Sequence, residues 1–142
     1  IGMYHALPEQ PGWLDLGHVA LGLALLPLGI VYLAACVAGG RWRLYFPWAA
    51  GQFGTIGADV AGVFRGERPA SEGGGLFAAI EGLLLLALIA AAVSGTLWFL
   101  ERGSDAAVLW RGHHIVAARA FAVLFGLHVL AVALHLVDLV RD

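Results

Sequence analysis

The sequence predicts an all-α integral membrane protein, and three observations carry that prediction. Of 142 residues, 61% are hydrophobic and only 13% charged, about half the charge of a soluble domain. A water-soluble fold this small cannot cover so much apolar surface. Three apolar stretches, about 14–38, 76–100 and 108–137, each exceed the ~20 residues that a bilayer crossing requires. The basic residues, all Arg, gather in one connection: Arg41, Arg43, Arg65 and Arg68 lie between the first two stretches and Arg141 follows the third, whereas Arg102 and Arg111 flank the short loop between the last two. The positive-inside rule then puts segment 39–75 and the C-terminus in the cytoplasm.

The elements follow in order along a single membrane domain, 1–142. Pro8, Pro11 and Gly12 mark an outer-side loop that ends on Trp13, an interface residue. The first helix contains Pro27, expected to bend or soften one turn, and stops at Gly39-Gly40. Trp42, Tyr45, Phe46 and Trp48 read as an aromatic belt. Phe53, Ile56, Val60 and Phe64 recur every three or four residues, which predicts an amphipathic helix on the cytoplasmic face within about 47–66. Ser71 to Gly75 is a hinge into the second membrane helix. That helix is rich in small residues, among them Ala90, Ala91, Ala92, Ser94, Gly95 and Thr96, which admit close approach by another helix or a flat cofactor. Glu101 to Ala107 forms the last loop. The lone Cys36 has no partner for an internal disulfide and reads as a small packed side chain. No basic patch for nucleic acid is present. Because the chain begins Ile1-Gly-Met-Tyr-His, an upstream segment of up to a whole helix is expected.

Polar side chains inside a bilayer are costly, so each one is a functional hypothesis. Four of the six histidines (His113, His114, His128 and His135) lie on the third helix, and His18 lies near the start of the first. His114 and His128 are 14 residues apart, which places them about 40° apart around a helix and about 21 Å apart along it. Two histidines on one face at opposite depths suit two stacked haems, each ligated by neutral imidazole. His113 gives a poorer angular match and remains an alternate. His18 enters its helix from the same side as His114, so these two can face each other across one porphyrin. His128 finds no other histidine in the first two helices, which leaves the expected upstream helix to supply its partner. A single membrane histidine is more often a hydrogen-bonded packing residue, and His5 and His135 are read that way, His135 being kept as an alternate. Arg119, about 7–8 Å deeper than His114, is costly unless paired; a haem propionate is one partner, and snorkelling or backbone carbonyls are the plainer ones. Glu81 reads equally as a proton-handling group at a quinone pocket or as a side chain that reaches the interface. Asp15 and Asp138 read as solvated helix ends.

Leu16-Gly17-His18 before an apolar helix, Pro47-Trp48 through Gly66 and Pro69, Ser94-Gly95-Thr96-Leu97-Trp98, and His114 followed by His128 occur in the order found in one family. On them the chain resembles the di-haem cytochrome b subunits of formate dehydrogenases and nickel–iron hydrogenases. The resemblance covers nearly the whole chain, starting from the family's first loop, and Ile1-Gly-Met-Tyr resembles the outer end of the family's first helix. It implies a four-helix haem-binding bundle in a bacterial inner membrane. It further implies that His18 and His114 hold an outer haem b, and that His128 holds an inner one with a histidine of the first helix. The chain departs from the family where a Tyr-Asn…Gln-Lys motif opens the third helix near the quinone; here the residues are Gly73-Gly74-Gly75-Leu76-Phe77, so an altered or lost quinone site is expected.

The expected function is transmembrane electron transfer, between an outer-side redox partner and the quinone pool. The chain would act as a subunit of a larger redox complex and would not be catalytic alone. A haem-free structural anchor of such a complex is the rival reading, favoured by the departure at the quinone motif and opposed by the three histidines. A metal or proton transporter built on the His, Arg and Glu set is a third, weakened because Glu81 and Arg119 fall at different depths.

Overall fold

A computed structural model describes residues 10–67 and 74–141, those at 134, 135 and 137–141 by backbone alone. Among these residues every regular element is a helix: α1 Trp13–Ala38, α2 Trp42–Tyr45, α3 Phe53–Phe64, α4 Leu76–Leu100 and α5 Asp105–Arg141. Three of them, α1, α4 and α5, are long and apolar enough to cross a membrane. At about 1.5 Å per residue, the 26 residues of α1 and the 25 of α4 exceed the ~30 Å hydrocarbon core.

Burial runs opposite to that of a soluble core. The buried hydrophobic residues are Cys36, Phe46, Ala79, Ala92 and Ala107, with Ser94 beside them, while Leu21, Leu28, Val31, Val116, Val123 and Leu130 are exposed. Lipid removes any hydrophobic drive to bury leucine between helices, so small residues line the contacts and large ones face the tails. The hydroxyls in this apolar setting are satisfied within α4: Ser94 donates to the Ala90 carbonyl at 2.6 Å and Thr96 to the Ala92 carbonyl at 2.8 Å.

The ends of the helices follow local chemistry. Asp15, read from the sequence as merely solvated, accepts a hydrogen bond from the Gly12 N–H at 2.9 Å, closing the first turn of α1 in the manner of half a capping box. Pro27 lies inside α1, which continues through it as α-helix. The expected interfacial stretch divides: Pro47 to Gly51 is a run of turns, with the Gln52 N–H bonded to the Pro47 carbonyl at 2.8 Å, and helix resumes only at Phe53. α5 starts at Asp105, ahead of the apolar run, because an acidic residue in a first turn complements the helix dipole. Hydropathy registers where a helix is apolar and overlooks its polar first turn.

Contacts gather into two units. The first joins the chain up to Tyr32 with Ala87–Phe121, and the second joins Leu33–Leu86 with the chain from Ala122 onward. In the second unit α3 is fastened to the start of α4. The Leu76 N–H donates to Asp59 Oδ2 at 2.8 Å, so a side chain from one helix caps the orphan donors of another. Phe53, Val60 and Phe64 of α3 stay exposed. Further along α4, Gly82 has no Cβ because the Tyr45 carbonyl occupies that space, which seats α2 against α4 one residue beyond Glu81.

Candidate functional site

In the first unit, His18 of α1 and His114 of α5 come together, with ring centroids 5.9 Å apart and planes at 76°. That spacing falls within the range of an ordinary edge-to-face ring contact. His114 is oriented further, by α4. Its Nδ1 lies 2.8 Å from the Ala91 carbonyl oxygen. A carbonyl can only accept, so Nδ1 carries the proton and the Nε2 lone pair is left available. This is the arrangement in which a ligating histidine is held by its other nitrogen.

The adjacent histidine is occupied differently. His113 Nδ1 bonds the Leu109 carbonyl of its own helix at 2.9 Å, and its ring stands 5.6 Å from that of Trp110. Of the two neighbours it is His114 that meets His18. Arg119 is exposed on α5.

In the second unit His128 of α5 meets Glu81 of α4, with Nδ1 3.8 Å from Oε1 and both side chains partly exposed. That distance is too long for a hydrogen bond, and His128 Nδ1 is a buried atom with no hydrogen-bond partner. The sequence reading treated Glu81 and His128 separately and missed this pairing. A signal for it was available. Residues at similar distances from the turn of an antiparallel helical hairpin face one another. Glu81 stands 20 residues before the Glu101–Ser104 turn and His128 24 after it, and Ala91 stands ten before and His114 ten after. His5 and the side chains of His135 and Asp138 lie outside the described residues. Of the Gly73–Phe77 stretch, Gly74 and Gly75 are buried; a Cβ on Gly75 would meet the Asp59 carboxylate, and one on Gly74 would lie 3.5 Å from Gln52 Oε1.

Among the described residues no three or more His, Cys, Asp or Glu side chains converge. A porphyrin supplies four nitrogens itself and asks the protein for axial ligands alone. A facing pair of imidazoles, one with its tautomer already set, fits that demand.

No family model, no curated protein and no solved structure matches this chain.

Proposed function

We propose that this chain is the haem-carrying part of a b-type cytochrome, a membrane subunit that passes electrons between an outer-side redox partner and the quinone pool. The observation that carries the reading is the facing pair His18–His114, in which His114 Nδ1 is tied to the Ala91 carbonyl. His18 and His114 would be the axial ligands, His114 through Nε2, the nitrogen that does not face the Ala91 carbonyl. Bound haem supplies a one-electron iron couple; the protein contributes position, tautomer and an apolar surround. Arg119, five residues along α5 from His114, would answer a propionate charge. His128 would ligate a second haem with a histidine from outside the described residues, completing a four-helix bundle. α3 would lie at the cytoplasmic interface, where its exposed Phe53 and Phe64 meet lipid. Segment 39–75 and the C-terminus would face the cytoplasm of a bacterial inner membrane. Any quinone contact belongs to the Glu81 end of α4.

A haem-free structural anchor is the second reading, favoured by one observation: His128 meets a carboxylate within the chain, where a di-haem subunit would set it against a second imidazole. A reduced-minus-oxidised visible spectrum of the purified protein, with a pyridine haemochrome assay, separates the readings. One or two b-type haems per chain is the expected result, one of them lost in His18→Ala. A protein purified from haem-replete cells with no haem would sink electron transfer and leave the anchor.

A further inference from the structure

We propose that the Ala91–Gly95 stretch of α4 is a positioning element for His114, and that Gly95 sets both the tautomer and the plane of its imidazole. The proposal rests on the reading of His114 as an axial ligand, but its first test does not.

Inside an α-helix the carbonyl of residue 91 already accepts from the N–H of residue 95. One lone pair remains, and in most helices the side chain four residues on stands over it. Here that residue is glycine. A Cβ on Gly95 would lie 3.0 Å from His114 Nδ1 and 3.1 Å from Cε1, tighter than van der Waals contact allows. Its absence is what lets the imidazole of a neighbouring helix reach the Ala91 carbonyl. Ser94 leans on the same turn, and its single hydroxyl proton is directed to the nearer Ala90 carbonyl at 2.6 Å, the Ala91 oxygen standing 3.2 Å away.

Two consequences follow. The Nδ1–H to carbonyl bond leaves Nε2 as the one nitrogen of His114 able to bind a metal, and it strengthens that nitrogen as a donor. The bond also sets the ring in one plane, at 76° to that of His18. A Cβ at position 95 would require the ring to give by a few tenths of an ångström, against the bond that holds it to Ala91. Gly95 touches neither iron nor substrate in this account; it acts through His114.

The first test reads the tautomer directly in the full chain, purified without haem in detergent and labelled with 15N-histidine, the His114 signals being assigned by difference with His114→Gln. The neutral ring is expected to carry its proton on Nδ1. A ring protonated on Nε2 instead would overturn the proposal. The second test uses the haem-loaded protein. Gly95→Ala is expected to shift the g values of the ferric low-spin electron paramagnetic resonance signal, which report the relative planes of two axial imidazoles, and to weaken haem binding about tenfold. Gly126→Ala, where a Cβ meets nothing within 4 Å, is the control and should leave the signal as in the wild type. Identical g values and haem affinity in Gly95→Ala and wild type would refute the role of Gly95. If Gly95→Ala does not fold, the tautomer in the wild-type chain decides. A wild-type chain that never binds haem ends the cytochrome reading while leaving the tautomer result standing, so the two failures are told apart.

Discussion

His114 and His128 belong to one helix, and α4 answers both, but with different chemistry. At His114 the partner is a backbone carbonyl 2.8 Å away. At His128 it is a carboxylate 3.8 Å away that leaves Nδ1 unbonded. A backbone carbonyl is neutral, is held by the helix that owns it, and cannot turn aside. A glutamate hangs on rotatable bonds and brings a group that is costly to hold in lipid. The first partnership depends on a missing side chain, Gly95, and the second on a present one, Glu81. The first imidazole is therefore disturbed by adding a side chain, at Gly95, and the second by removing one, at Glu81.

The largest expected effect tests whether the two histidines serve separate sites. On the proposed function, His114→Ala should abolish the spectrum of a haem held with His18, whereas His128→Ala should retain it. Loss of that same haem in both variants would join what the comparison separates. A smaller effect isolates the second unit. Gly82→Ala drives a methyl into the Tyr45 carbonyl and should cost about 1–3 kcal/mol, the usual penalty for overpacking, read as a lowered midpoint of thermal unfolding in detergent; the His114 tautomer should not change. Below that stands the cap on α4. Asp59→Ala removes the acceptor of the Leu76 N–H and should cost about 1 kcal/mol, whereas an unchanged midpoint would mean that water serves the donor equally well.

The smallest effect belongs to neither site. Arg65 and Glu67 form an exposed pair, with Nε to Oε1 2.9 Å. Hydrogen bonding from Arg65 holds the Glu67 carboxyl below its ordinary range. A lowered folded-state value means that whatever the pair contributes is present above the ordinary glutamate pKa and fades as pH falls through the lowered one. Exposed pairs contribute little, so Glu67→Gln should leave the unfolding midpoint unmoved at neutral pH.

How much could be read in advance depended on range. Spans of apolar residues state their own solvent, so α1, α4 and α5 were legible to within a few residues, the errors falling at the two polar ends of α5, Asp105 and Arg141, which lie outside the apolar run. Depth along a helix was legible too, because 1.5 Å per residue needs no neighbour; it paired His18 with His114, and the structure brings those rings to 5.9 Å. Rotation was legible only within one helix: the angular match to His128 favoured His114 over His113, but the position of α4, whose Ala91 carbonyl meets His114, could not be read that way. Asp59 was equally opaque, since a side chain seventeen residues away in sequence caps a helix only after α3 has docked.

By itself, then, the sequence determined the solvent, the number and length of the spans, and which residues are too polar for lipid to be accidental. Each of these is a property of one segment and its surroundings. Tertiary structure decided the partners: the carbonyl for His114, the carboxylate for His128, the cap for Leu76. A hydrogen bond is specified within a few tenths of an ångström, and no periodicity along one helix carries the position of the next.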